Sequence, residues 1–481
     1  MQRKFITNLA LLLLLNFLIK PFWIFGIDRK VQNSFSAEDY GLYFTLFNFS
    51  MLFNVLLDLG LTNYNNRNIA QNSHLLSKYF SGIVTFKLLL AIVYAVVTFV
   101  VGYIAGYDSQ RFYILAFLTI NQFLISFILY LRSNVAGLQL FTVDSLLSVL
   151  DKTLMIGFCV VLIWGNVLEQ KFNLYHFIYA QTAAYFITAL VVFIIVLIKA
   201  EKFTLKINLP FLWLIIKQSF PYAVLVLTMT FYYRMDVVML DYMLVDGAKQ
   251  AAIYAQPYRL MEAFNQIGVL FAGLLLPMFA FMLKKNEKVN ELLQLAFSLL
   301  FIPSIVLAII AYNFAFPIMD SMYVSNVEEA AKILPILMFC FVAISTTYIY
   351  GTLLTANGSL LILNKMAIAG LFLNLLLNYL LIPYYQGVGS ALASLVTQGL
   401  IVVLQMIIAK KIFSISLNFS YIIKLIVFVI LVIIITFLVK EFMLNLIVQV
   451  LVVVFVSFLF SLFLKLVDVK NILNMLQKRG V

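Results

Sequence analysis

Charge is scarce in this sequence. Asp, Glu, Lys and Arg make up 11% of its 481 residues, against 64% hydrophobic residues. A soluble globular domain carries about a quarter charged residues, so that class is excluded. Cysteine is nearly absent: Cys159 and Cys340 lie in apolar segments and supply neither a disulfide framework nor a metal pair. The only histidines, His74 and His176, fall at expected span ends, so neither a metal nor a cofactor is expected. There is no GK[ST] phosphate loop, no GxSxG elbow and no HExxH helix. Those absences remove the recognisable devices for ATP hydrolysis, acyl transfer and zinc proteolysis. Polar connections are short, so no domain outside a membrane is expected to host chemistry, and the chain is not expected to be an enzyme.

What the sequence has is about fourteen apolar runs long enough to cross a bilayer. The first six are Phe5–Gly26, Tyr40–Asn63, Tyr79–Ile104, Phe112–Leu131, Val143–Gly165 and Tyr175–Ile198. After a basic connector from Lys199 to Lys206 come Phe220–Leu244, Ala251–Leu283, Leu292–Phe316, Ala331–Leu354, Leu361–Tyr384 and Gly387–Ile412. Tyr421–Val439 and Phe442–Leu464 are the last two. In chain order these runs are spans one to fourteen. The start, Arg3–Lys4 followed by Phe5–Ile19, resembles a signal peptide but lacks a small-residue cleavage site, so it is expected to be a retained span. With the N-terminus inside, the inner loops hold nineteen Lys and Arg residues against seven outside. That bias favours two cytoplasmic termini and an even number of spans. The net charge of +12 therefore reads as membrane topology, and no nucleic-acid partner is expected.

A repeat is visible inside the chain. Aligning Asp39–Asn54 with Gln250–Asn265 matches Tyr43 with Tyr254, Phe53 with Phe264 and Asn54 with Asn265. The two segments open spans two and eight. A displacement of six spans keeps orientation, so the repeat is parallel, about a pseudo-twofold along the membrane normal. The expected architecture is an all-α polytopic membrane protein of about fourteen transmembrane helices. It comprises a six-helix lobe over 1–206, a second over 207–412, and two additional helices with a tail over 413–481.

Polarity inside the spans points to function. Each charge at mid-bilayer costs roughly 2.5–3.5 kcal/mol, so it is expected to face a wet cavity or a partner. In span two, Asn54, Asp58, Thr62 and Asn65 recur at helical spacing as one polar stripe. In span eight the corresponding face carries Arg259, Glu262, Asn265 and Gln266. Lys20, Lys87, Lys152, Arg234 and Arg259 are five intramembrane cations, set against Asp58, Asp151, Asp236 and Glu262. An entering anion could draw the cations away from their partners through charge-assisted hydrogen bonds. Blander readings stand beside this one. Arg259 and Glu262, one turn apart, could simply neutralise each other. Lys87 and Lys152 could snorkel to an interface. Gln122, Ser126 and Tyr130 in span four read as packing or cavity lining, as do Ser345 to Tyr348 in span ten.

Three stretches carry a resemblance: EDYGLYFTLFNFSMLFNVLLDLGLTNYNNRNIAQ (Glu38–Gln71), KQSFPYAVLVLTMTFYYRMDVVMLDYML (Lys217–Leu244) and GAKQAAIYAQPYRLMEAFNQ (Gly247–Gln266). They resemble polysaccharide flippases of the Wzx type, in the multidrug/oligosaccharidyl-lipid/polysaccharide (MOP) exporter superfamily. The resemblance implies alternating access of two lobes. The cargo would be an undecaprenyl-diphosphate-linked oligosaccharide, moved to the outer leaflet of a bacterial inner membrane. It implies head-group binding by Arg234 and Arg259 first, then Lys20, Lys87 and Lys152, with Asn54 and Asn265 beside them. Asp58, Asp236 and Glu262 are candidates for coupling to H+ or Na+, and Arg67 for a cytoplasmic gate. A polysaccharide polymerase and a chain-length regulator are further expected partners. A lipid II flippase, a cation-coupled drug antiporter and an integral-membrane polymerase remain as alternatives. An anionic cavity would favour the antiporter, and a long outer loop would favour the polymerase.

Overall fold

A backbone crossing lipid must satisfy its N–H and C=O groups within itself, which leaves an apolar chain the α-helix or the closed barrel. The computed structural model is helical, with no strand among the described residues. It describes residues 11, 14–62, 65, 69, 76–138, 140–165, 172–200, 209–415, 419–442 and 445–466. Among these, eleven helices are long and apolar enough to cross a membrane. Spans three to ten correspond to Leu76–Ile104, Ser109–Gly137, Phe141–Trp164, Leu174–Ala200, Leu209–Met243, Gly247–Lys284, Asn290–Asn313 and Val327–Ala356. Spans eleven and twelve form one continuous element, Leu360–Phe413, whose helical course breaks at Gln386 (φ 51°, ψ −129°). Spans thirteen and fourteen are Phe419–Glu441 and Leu446–Phe463.

Spans one and two are the irregular ones. Span one contains a π-helical turn, Trp23–Asp28, ahead of Arg29–Ser34. Span two starts at Ala37, where Ser36 caps the helix by accepting from the Asp39 N–H at 3.1 Å. It runs only to Leu52, continues as a 3-10 turn, Asn54–Leu57, and then breaks: Leu59 (φ 46°) and Gly60 (φ 83°) are left-handed. Glycine takes that conformation at no steric cost, and Gly60 is where the break needs it.

The chain divides into two compact units, Met1–Ala252 and Ile253–Val481. In the first unit, spans three, four and six meet around Phe80, Ile83, Tyr130, Leu131, Val192 and Val196. Span two packs against spans four and seven. In the second unit, span ten packs on nine and on the eleven–twelve element. Spans thirteen and fourteen close on span nine through Phe428, Val432, Val453, Ile305 and Ile309. Their outer faces leave Phe437, Phe455 and Phe458 exposed, as apolar side chains in contact with lipid should be.

Candidate functional site

The five intramembrane cations occupy four settings. The first is Lys87 on span three, enclosed to 1% exposure. Its ammonium donates to Asp58 Oδ1 at 2.7 Å, Ser126 Oγ at 2.9 Å, Leu57 O at 3.1 Å and Ser126 O at 3.4 Å. The Tyr130 ring lies 5.7 Å away. Lys87 therefore does not snorkel. This span is otherwise largely apolar, and the ammonium turns inward to the break in span two, where Leu57 O and the Asp58 carboxylate face it.

The second setting joins spans one, five and six. Lys152 Nζ donates to Tyr185 Oη at 2.9 Å and stands 3.7 Å from Asp151 Oδ2. The Trp23 and Tyr185 rings lie 5.4 and 5.0 Å from it, within cation–π range, and the lysine side chain is 22% exposed. Lys20 lies within electrostatic reach of Asp151 and Lys152. Nearby, Trp23 stacks on Phe177, Tyr43 exchanges hydrogen bonds with Gln181, and the Tyr40 hydroxyl donates to buried Asp28. Neither Trp23 nor Tyr185 stood out in the sequence, where aromatic residues are too common to mark a cation box.

The third setting joins spans two and seven. Arg234 Nη1 donates to Asn48 Oδ1 at 3.1 Å, and Asn48 is itself fully buried, its amide tied to Phe44 O at 2.7 Å. Asp236, two residues on, is 2% exposed whereas Arg234 is half-buried, as expected of opposite helix faces. Span two also meets the start of span eight at close range. A Cβ added at Gly41 would lie 1.6 Å from Ala248 O and 3.1 Å from Ala252 N. The internal alignment pairs Gly41 with Ala252, so the two repeat copies touch through equivalent backbone positions. Further along, Arg111 pairs with Asp241, whose carboxylate is 3% exposed, and lies 5.4 Å from the Tyr107 ring. Burial first, and the Asp241 charge next, push the Tyr107 hydroxyl above its usual pKa, so it stays neutral.

The fourth setting is in the second unit, where Arg259 Nη1 meets Glu262 Oε2 at 2.7 Å on one face of span eight. This is the mutual neutralisation that the spacing allowed. Asn265, a turn further, has a buried Oδ1 that accepts no hydrogen bond.

The stripe expected along span two is not a regular helical stripe, because Gly60 and Leu59 interrupt the helix. Its residues nevertheless turn to two adjacent spans, three and four. Asn54 donates to Gln122 at 2.9 Å, Asp58 reaches Lys87 beside Ser126, and Asn65 donates to Ser133 and Asn134, each at 2.9 Å. Thr62 bonds back to Asp58. Span four thus supplies the partners of Asn54 and Asn65, and span three that of Asp58. Arg67 lies outside the described residues. Among the described residues no group of His, Cys, Asp or Glu could hold a metal ion.

A family model described as "Polysaccharide biosynthesis protein" matches residues 31–283, more than half of the chain. No curated protein matches. Among solved structures, the lipid II flippase MurJ in an inward closed conformation is similar at 15% identity with a TM-score of 0.67, over 95% of this chain and 99% of that one. A MATE structure in complex with MaL6 gives 13% and 0.60, over 85% and 96%. An outward-facing multidrug resistance MATE family transporter of the MOP superfamily gives 14% and 0.57, over 85% and 93%. At such identities the likeness is one of fold, which the three share with this chain. By its sequence, the chain belongs to the polysaccharide biosynthesis protein family.

Proposed function

We propose that this protein is a flippase for an undecaprenyl-diphosphate-linked oligosaccharide, working by alternating access in a bacterial inner membrane with both termini cytoplasmic. The lobes that alternate would be 1–206 and 207–412. The observation that carries the reading is a guanidinium inside a membrane span: Arg234, half-buried and hydrogen-bonded to Asn48 of span two. An entering diphosphate can draw such a guanidinium into charge-assisted hydrogen bonds. Arg259 serves the second copy once a diphosphate competes with Glu262 for it. Lys20 and Lys152 are the next contacts, the Lys152 side chain being partly exposed beside Trp23 and Tyr185. Asn54 and the unsatisfied Asn265 oxygen suit sugar hydroxyls. Family membership supports a glycan cargo. A prenyl tail can stay in lipid while only the charged head crosses, which is the part hydrocarbon excludes. Asp236 and Glu262 are the carboxylates proposed for coupling to H+ or Na+.

Arg234→Ala and Arg259→Ala are expected to cut surface polysaccharide roughly tenfold to a hundredfold, the worth of one charge-assisted hydrogen bond of about 1.5–3 kcal/mol. Both proteins should still accumulate in the membrane. Normal polysaccharide in both variants would remove the head-group assignment.

A further inference from the structure

The break in span two leaves backbone oxygens that a continuous helix would have used. Leu61 N–H, which would bond to Leu57 O, instead donates to Asp58 O at 2.8 Å. Leu57 O is left facing Lys87 Nζ at 3.1 Å and Ser126 Oγ at 3.2 Å. On the far side of the break the Asp58 carboxylate accepts from Thr62 N–H at 3.3 Å, capping the resumed helical residues. The C-terminal end of the upper segment carries partial negative charge and Asp58 a full one, and both converge on one point. At that point sits a single ammonium with four oxygen neighbours: a carboxylate, a hydroxyl and two main-chain carbonyls. No nitrogen or sulfur atom is among those neighbours. That is the ligand set of an alkali-metal cation at a discontinuous membrane helix, where unwound carbonyls and helix C-termini coordinate the ion.

We propose that Lys87 is a resident cation: its ammonium occupies, by covalent tether, the position that a bound Na+ would take at the break in span two. Lys87 is then a positioning residue for span two rather than a contact for cargo, and Asp58 is neutralised from within the chain. Removing the ammonium while keeping its oxygens should turn the break into a Na+ site. The inference needs only the broken span, so it stands whatever the cargo is.

The test uses the purified full-length chain in detergent, with thermal unfolding followed in NaCl and in choline chloride at equal ionic strength. Lys87→Ala is expected to unfold several degrees below the wild type in choline and to recover most of that loss in NaCl. The recovery must exceed any Na+ effect on the wild type, and it should vanish in Lys87→Ala combined with Asp58→Asn. A Lys87→Ala protein with no more Na+ response than the wild type would overturn the proposal, whether it is stable or uniformly weakened. So would a response that survives loss of the Asp58 carboxylate. If the alanine variant accumulates too poorly, Lys87→Gly made in Na+-rich medium leaves the same oxygens, and the same two results would support or overturn the proposal.

Discussion

Spans two and eight begin alike and end differently, and the difference shows how little sequence separates a continuous membrane helix from a broken one. Through Asn54 and Asn265 the copies can be aligned residue by residue. Beyond that point Asp58, Leu59 and Gly60 stand where span eight has Val269, Leu270 and Phe271. Span eight runs unbroken over Gly247–Lys284, whereas span two is helical only to Leu52 before its 3-10 turn. Phe271 gives a helix no reason to stop. Gly60 permits a positive φ, and Asp58 stabilises the turn by capping the residues beyond it. Charge handling diverges accordingly. The continuous helix pairs Arg259 with Glu262 along its own face, one turn apart. The broken one calls on Lys87 from another span.

Four substitutions probe this contrast. The largest effect is expected for Asp58→Leu, which strands the Lys87 ammonium at 1% exposure without its carboxylate. Losing one partner of a buried pair costs roughly 3–5 kcal/mol, whereas Val269→Leu at the aligned place should stay within about 1.5 kcal/mol. Thermal unfolding of the two variants side by side reads the difference, and equal losses would deny that the break depends on its ion pair. Gly60→Phe, which copies span eight into span two, should cost about 1–3 kcal/mol from the left-handed conformation at φ 83° alone. Hydrogen exchange around Asn54–Thr62 would locate the strain. The smallest effect belongs to Glu262→Gln, since glutamine keeps an oxygen acceptor for Arg259 and exchanges a charge-assisted hydrogen bond for a neutral one, a difference of about 1 kcal/mol. A stability loss as large as that of Asp58→Leu would show that span eight too relies on its charges for its shape.

Most of the fold was legible because a lipid-crossing helix needs little more than an uninterrupted apolar run, and helices for spans three to fourteen follow those runs. The same criterion hid the break in span two, because Val55, Leu56, Leu57, Leu59 and Leu61 keep the run apolar on average through it. The informative signal was the Asp–Leu–Gly sequence at 58–60, an acceptor side chain next to a glycine, not the hydropathy. The Arg259–Glu262 contact could be read from spacing alone, because both residues share one helix. Arg234 with Asn48, or Lys152 with Trp23 and Tyr185, could not: those partners lie on other spans, and packing between helices in lipid follows small residues and shape rather than a readable polarity pattern.

The contact between Gly41 and the backbone of Ala248 and Ala252 has a mechanical corollary. Side chains wedged between two helices can change rotamer and absorb a displacement, but main chain resting on main chain has no such slack. Any tilt of the segment from Ala248 to Ala252 is handed undiminished to the beginning of span two. A methyl group grafted onto position 41 would act as a shim, prising the twin segments apart where their main chains lean on each other.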